Sequence, residues 1–412
     1  MKLLVLCDVV DRVGGTESYL ARTLPALARS GVDVTIVGRR VVQPGAFGAN
    51  AREIAWGADD EPARPEAARA VGRAIDELRP DVVMTSNVHD RAVMAAARAA
   101  PLLIVRVHDH RLFCPQGDRQ YPHFPQLCTL AMSHTACLGN AVLRGCASGL
   151  SARTLGLVRE RLALREALQA ADRFVVASRF VAGLCALNGV PPQRIVAIPP
   201  PFEGDPLGVP SPRPPEDRVL FAGRLVRDKG LESLIRAIAR LPRAARPTLA
   251  VAGAPTRESK PLPELARKLG VALTMLGHLD APALDAEIDA STLVAVPSLW
   301  PEPFGLIGIE AQARGRPVVA YDVGGISEWM GGAGLLASRG DTEGLARAIT
   351  GVLDANRWNA FATTALAQSA RFRLDGHVAS LVDLMTRGRA NADNRLASEG
   401  PLDSSGLLID SR

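Results

Sequence analysis

Two acids, Glu302 and Glu310, stand with seven residues between them in "PSLWPEPFGLIGIEAQARGRPVVA", residues 297–320. Glu302 lies among Trp300, Pro301 and Pro303, in a loop that follows the apolar run "LVAVPS". Glu310 lies on the body of a helix predicted to start near Phe304, with Pro303 suited to its first turn. A carboxylate accepts two hydrogen bonds, which fits a vicinal diol such as the 2′,3′ hydroxyls of a ribose or the 3,4 hydroxyls of a sugar. The free backbone N–H groups of Phe304, Gly305 and Leu306 at the helix start would meet phosphates. Compensation of the helix dipole explains Glu302 alone, not Glu310 or its spacing.

Three further segments carry chemistry. In "VLFAGRLVRDKGLESLIRAIARL", Arg224 closes a strand and Lys229 precedes Gly230 and a helix. Two cations converging on one helix mouth make a diphosphate clamp, one a planar fork and the other a compact point charge; solvated surface charge is the bland alternative. Lys occurs only at 2, 229, 260 and 268, so an ammonium at 229 stands out in an Arg-dominated chain. After the first strand, "VVDRVGGTESYL" sets Gly14 and Gly15 before a helix opening near Thr16. Two glycines let backbone N–H groups approach a phosphate or sugar oxygen, or serve only as a structural turn. Finally, "LLIVRVHDHRLFCP" puts His108 at a strand end with Asp109 and His110 beside it. An imidazole there donates to a sugar hydroxyl, or else packs or caps a helix.

These residues need elements to position them. Short Val/Ile/Leu runs alternate with amphipathic segments throughout, which suits parallel strands buried on both faces. The strand candidates are "LLVLCDVV", "VDVTIVG", "DVVMTS", "LLIVRVH", "RFVVAS" and "RIVAIP", then "VLFAGR", "TLAVAG", "LTMLG", "LVAVPS" and "PVVAYD". The fold class is α/β, with two Rossmann-like doubly wound domains facing each other across a cleft. The expected first domain is 1–200, with an irregular Cys-containing excursion over 109–150 and a returning helix over about 372–389. Residues 199–215 hold eight prolines in seventeen, giving a stiff linker over 201–215; the second domain is 216–371 and a frayed tail covers 390–412.

Composition sets the outer bounds. With 412 residues, 47% hydrophobic and 22% charged, the chain is globular and long enough for two cores. Apolar runs are too short to cross a membrane, and "MKLLVLCDVV" reads as a first strand, not a signal peptide, so the expected location is cytoplasmic. Residues 1–200 hold 24 Arg or Lys against 18 Asp or Glu and the remainder 24 against 25, so the net charge of +5 sits in the first half. That suits an anionic ligand or a lipid headgroup surface, with peripheral contact at the inner face of a membrane as an option, or simply scattered solvated arginines. Aromatics are only 4%, with no basic run alternating among them, so nucleic acid is excluded as a partner. Cys7 and Cys185 read as buried thiols. Cys114, Cys128, Cys137 and Cys146 cluster with His123 and His134 but without C-x-x-C, leaving free thiols, a redox pair, a disulfide staple or a structural metal all open.

Read together, the segments resemble retaining glycosyltransferases of the GT-B fold, family 4. The resemblance covers roughly residues 1–385 and is most specific where "GRLVRDKG", "LGHL", "EPFGLIGIE" and "DVGGISE" occur in family order. It implies that Arg224 and Lys229 hold a diphosphate, Glu302 the donor sugar and Glu310 the ribose. The backbone near His278 and Leu279 would hold the base, with Gly15 near the phosphates and His108 near the sugar. Where the family commonly has an Asn-Gly-Val-Asp loop, this chain has "PPPFE". The implied activity is retaining transfer of a hexose from a UDP- or GDP-sugar to a hydroxyl of a glycan, lipid-linked or small-molecule acceptor. No Asp-x-Asp occurs, consistent with chemistry that uses no metal or other cofactor. The alternative is a catalytically silent nucleotide-sugar-binding protein in a polysaccharide assembly system; a nicotinamide-dependent enzyme is set aside for want of G-x-G-x-x-G after the first strand.

Overall fold

The computed structural model describes residues 1–398 except 12, 13, 44, 46, 57–64, 122–125, 148, 203 and 205, and of 391–398 only the backbone. Seven parallel strands form the first sheet: β1 (Lys2–Val10), β2 (Asp33–Val41), β3 (Asn50–Glu53), β4 (Val82–Ser86), β5 (Leu103–Val107), β6 (Arg173–Val176) and β7 (Ile195–Ala197). Six form the second: β8 (Arg218–Ala222), β9 (Thr248–Ala252), β10 (Leu273–Gly277), β11 (Leu293–Val296), β12 (Val318–Asp322) and β13 (Gly334–Ser338). The orders are β3-β2-β1-β4-β5-β6-β7 and β10-β9-β8-β11-β12-β13, so each sheet reverses direction beside its first strand. Parallel neighbours need crossovers, and the helices supply them.

In the first half these are α1 (Gly15–Arg29), α2 (Pro65–Leu78), α3 (Arg91–Ala97), α4 (His134–Leu143), α5 (Ala152–Leu168) and α6 (Arg179–Leu187). The second half carries α7 (Leu231–Arg240), α8 (Leu262–Leu269), α9 (Ala281–Asp289), α10 (Leu306–Ala313), α11 (Ile326–Met330), α12 (Thr342–Leu353) and α13 (Ala355–Ser369). The last, α14 (Leu374–Ser398), returns to the first sheet, where Val378, Leu381 and Met385 pack with Leu3, Val5, Leu102 and Ile104. It runs past 390, where a frayed tail was expected; 399–412 lie outside the described residues. Central strands are buried on both faces, which is why they read as unbroken apolar runs.

The proline-rich segment is not a free tether. Leu207 N–H donates to Ala313 O (3.0 Å), and the buried Arg316 donates to the Ser211 and Pro212 carbonyls (3.2 and 3.0 Å). Proline removes donors but leaves carbonyls, and one guanidinium collects them. The linker therefore lies on the second domain. No helix among the described residues is long and apolar enough to cross a membrane.

Candidate active site

The carboxyl ends of both sheets open on one cleft of about 620 Å³. Gly14, Gly15 and His108 line it from the first domain; Arg224, Lys229, Glu302, Phe304, Gly305 and Leu306 line it from the second. His278, Leu279 and Glu310 are not among the lining residues.

The loop ahead of α10 is held by its carbonyls. His110 Nε2–H donates to Pro301 O (2.6 Å), Gly325 N–H to Glu302 O (2.8 Å), Ser178 Oγ–H to Pro303 O (2.6 Å) and Trp329 Nε1–H to Phe304 O (2.6 Å). Two of these donors, His110 and Ser178, come from the first domain, so the loop is clasped from both sides. Gly324 permits the approach, since a Cβ there would sit 2.2 Å from Glu302 O. Gly305 then takes φ +96° and α10 begins at Leu306, two residues later than the expected start near Phe304. Pro303 is thus outside the helix, and Glu310 is one turn in.

Glu302 is 6% exposed and already engaged: Lys229 Nζ lies 2.5 Å from its Oε1 and Ser298 Oγ–H donates to the same oxygen at 2.7 Å. Lys229 ends a tight turn, Arg227–Lys229, and its ammonium also lies 5.4 Å from the Trp300 ring centroid. Gly230, at φ +75°, closes that turn; a Cβ would meet Pro297 O at 1.8 Å, so only glycine fits. The Asp228 carbonyl accepts from Leu299 N–H (2.7 Å) and Trp300 N–H (3.1 Å), tying the lysine's turn to the acid's loop. Arg224 is exposed at the cleft wall.

Glu310 departs from its expected surroundings. Its Oε1 accepts from Arg22 Nη2–H (2.9 Å) on α1 of the first domain, and the same arginine donates to Pro201 O (3.1 Å). One turn into the helix, its carboxylate meets the hinge instead of the cleft lining. His278 and Leu279 follow β10, the edge strand of the second sheet, beyond the lining residues.

On the first-domain wall, Gly14 takes φ +108° ahead of α1, and the Glu17 carboxylate folds back so closely that a Cβ on Gly14 would lie 2.5 Å from it. Burial raises the Glu17 pKa, its own backbone N–H opposes this, and Asp8 and Asp11 add to the rise. His108 Nε2 lies 2.7 Å from Ser86 Oγ and its ring stacks edge-on against Tyr19 at 5.1 Å. Burial, then the charge of Arg106, holds its pKa well below 6.5, so the imidazole is neutral. Arg106 itself is 2% exposed, lies 4.7 Å over the Tyr19 ring and donates to Ile198 O (2.9 Å). The Tyr19 hydroxyl meets His377 Nε2 at 3.1 Å, and His377 Nδ1–H donates to Pro199 O (2.7 Å), so the returning helix is pinned to this wall.

A family model described as "Glycosyl transferase 4-like domain" matches residues 14–201, and one described as "Glycosyl transferases group 1" matches 216–355. The chain belongs to the group 1 glycosyl transferases. It is 33% identical to D-inositol 3-phosphate glycosyltransferase 2 of Catenulispora acidiphila over 246 residues, 54% of this chain and 57% of that protein. The chain spans about half the length of the curated relatives it matches. Among solved structures, HepE of Anabaena in complex with UDP superposes with TM-score 0.66 at 21% identity, over 94% of this chain and 100% of that one. Sucrose-phosphate synthase of Thermosynechococcus elongatus gives 0.69 at 20% identity, over 95% and 100%. These place the glycosyl transferase in the GT-B fold, two parallel-sheet α/β domains.

Several residues lining the glycosyl transferase cleft were not singled out from sequence: Glu17, Tyr19, Asn87, Arg106, Ser298 and Trp300. Arg106 had a signal, a charge inside the apolar run "LLIVRV". Asn87, at φ +55°, donates to Thr16 Oγ1 (2.9 Å) and had none. The four clustered cysteines line one small cavity of the excursion with Phe113, Tyr121 and Met132. All are free thiols, and among the described residues no three His, Cys, Asp or Glu side chains gather to hold a metal ion; His123 lies outside the described residues. Burial, then the other three thiols, pushes Cys146 up to about 11, so it is a protonated thiol.

Proposed function

We propose that this family member is a retaining, metal-independent glycosyltransferase that moves a hexose from a nucleotide-diphosphate sugar to a hydroxyl of a glycan, lipid-linked or small-molecule acceptor in the cytoplasm. One observation carries the reading: Lys229, Arg224 and the start of α10 converge with Glu302 on one wall of the interdomain cleft. α10 has no acid in its first turn, and Glu302, four residues ahead of it, is already engaged by Lys229 and Ser298.

As the bond from the sugar to the diphosphate breaks, negative charge grows on the leaving phosphate. Lys229, Arg224 and the N–H groups of Gly305 and Leu306 meet that charge where it develops, which is the arrangement that lowers a barrier without reorganising water. Glu302 receives the sugar hydroxyls through the lone pairs that Lys229 and Ser298 leave available. Tied to both, it is a poor nucleophile, which favours attack by the acceptor hydroxyl on the same face, with its proton passing to the leaving phosphate oxygen. His108, neutral and at the end of β5, serves the sugar as a hydrogen-bond partner. UDP is the favoured carrier, because HepE, which shares the fold, binds UDP.

The test is a thermal-shift screen of UDP- and GDP-sugars, followed by nucleotide release with a panel of acceptors. A ligand at about a hundred times its Kd stabilises the fold by about 2.7 kcal/mol. A shift with one class and release with an acceptor is expected. No shift with any nucleotide sugar sinks the reading, and a shift without release under any acceptor leaves the silent binding protein.

A further inference from the structure

Five of the eight large apolar side chains exposed among the described residues fall within residues 130–155: Leu130, Val142, Leu143, Leu150 and Leu155, with Leu143 78% exposed. They are brought together by a helical hairpin. Cys137 and Leu138 of α4 pack with Met132 and with Val158 and Leu162 of α5, which fixes the middle of the pair. Val142 and Leu143 then close α4, and Leu150 and Leu155 flank the Ser151 cap that opens α5, so all four sit at the hairpin's turn. A tip with that much apolar surface exposed calls for an occupant.

Charge says which one. From Arg119 to Arg159 the sequence has no Asp or Glu. Arg144 and Arg153 are exposed around the tip, Arg159 is exposed about two turns further along α5, and α5 has no acid in its first turn. α3, which packs on α5, has Arg91 as its only charged residue, and Arg91 is paired with Glu160 of α5 (3.2 Å), the first acid after the run. We infer that the tip of the α4–α5 hairpin docks on an anionic lipid bilayer. Leucine and valine side chains enter the boundary between headgroups and acyl chains, and guanidinium groups take the phosphates above it. A second copy of this chain fits worse, since a two-fold contact through the tip would set arginines against arginines. The excursion also leaves the end of β5 beside His108 and touches the second domain, where Gln120 Nε2–H donates to Asp228 Oδ1 (2.9 Å). The excursion that carries the hairpin therefore starts from the cleft. The inference does not depend on glycosyl transfer, because docking is read without catalysis.

The full chain is to be sedimented with vesicles of phosphatidylcholine alone and of phosphatidylcholine with phosphatidylglycerol. It should pellet with the anionic vesicles at low salt, stay in solution with the neutral ones and be released at high salt, where the screening length shortens. The double variant Arg153→Gln/Arg159→Gln should weaken binding by more than tenfold, on the order of fivefold per arginine. Leu143→Asp should weaken it at least as much, on the order of tenfold or more. Because these side chains are exposed, both variants should melt with the parent protein, which separates lost docking from lost folding. Failure to pellet with anionic vesicles at low salt, or pelleting indifferent to both variants, overturns the inference. So does a concentration-dependent dimer that Leu143→Asp dissolves, which would give the tip to a second copy.

Discussion

Two helices aim their N-termini at the same cleft, α1 from the first domain and α10 from the second. Both follow a glycine at positive φ, Gly14 at +108° and Gly305 at +96°, and neither has a side-chain cap. They differ in the first turn. α1 carries Glu17, whose carboxylate folds back over Gly14, whereas α10 carries no acid and has Lys229 and Arg224 nearby. A carboxylate satisfies the dipole of α1 from within the chain; the dipole of α10 is left for an incoming anion. Similar glycine turns thus leave opposite charge at the two helix starts, and under the proposed function the diphosphate is assigned to α10. Gly15, expected near the phosphates, lines the cleft with Glu17 two residues on.

The largest test of that contrast is to remove charge from each end. Lys229→Ala should lower the transfer rate on the order of a hundredfold or more, the effect of deleting one donor to developing charge. It should also cancel any thermal shift from nucleotide sugar, since Glu302 would stand in the binding site without its ammonium. Glu17→Gln should change the rate by less than tenfold. Nucleotide-release kinetics on both variants decide it, and equal losses would abolish the distinction between the two helix ends.

A second contrast is in titration. The first-domain side holds three histidines with lowered pKa values, His108, His110 and His377, and burial is the leading cause for each. His377 is pushed down to about 3, first by burial and then by the charge of Arg106. Its folded value lies below the unfolded one, so the native ring stays neutral while the unfolded chain takes up a proton. Stability is therefore full above pH 6.5 and is lost as pH falls from there toward 3, by a few kcal/mol in total. Melting temperature against pH should fall over that window, and His377→Gln should start lower but fall less steeply. A parallel decline in the variant would remove His377 from the account.

Glycines separate the two walls by packing. Gly308 lies in α10 against the fully buried Trp329, and a Cβ would meet that ring at 2.1 Å; Gly15, in α1, has nothing within 4 Å. Gly308→Ala should cost about 1–3 kcal/mol by overpacking and shift Trp329 off the Phe304 carbonyl. Gly15→Ala should be neutral or slightly stabilising. Denaturant melts of the pair measure the difference in tightness between α10 and α1.

What the sequence disclosed follows the same division. Strands buried on both faces announced themselves as apolar runs, and polar residues at their carboxyl ends marked the cleft. β3, "NARE", and β13, "GLLAS", escaped because neither carries a β-branched residue: the first has one apolar side chain in four and the second is a short Gly/Ala/Leu run that reads equally as helix. Site residues were legible one at a time but their partners were not. Lys229 and Glu302 are 73 residues apart, His110 and Pro301 are 191, and Arg22 and Glu310 are 288. Local spacing reports which face of an element a side chain occupies, and only the folded chain reports what stands opposite.

The Arg22–Glu310 pair gives the smallest and sharpest test. Both side chains are largely buried, at 10% and 14% exposure, and the pair joins α1 to α10 across the hinge. A ribose that sought Glu310 would have to share its carboxylate with a guanidinium already 2.9 Å away. If Glu310 serves the donor nucleotide, Arg22→Ala should tighten nucleotide-sugar binding by a few-fold while lowering the melting temperature, because the buried acid loses a partner. If Glu310 serves only the hinge, the same variant should melt earlier with affinity unchanged. Calorimetric titration of Arg22→Ala alongside Glu310→Gln distinguishes these, since only a ribose contact would make the second variant lose affinity as the first gains it. The opposition of signs is what a shared carboxylate requires: whatever one partner gives up, the other receives.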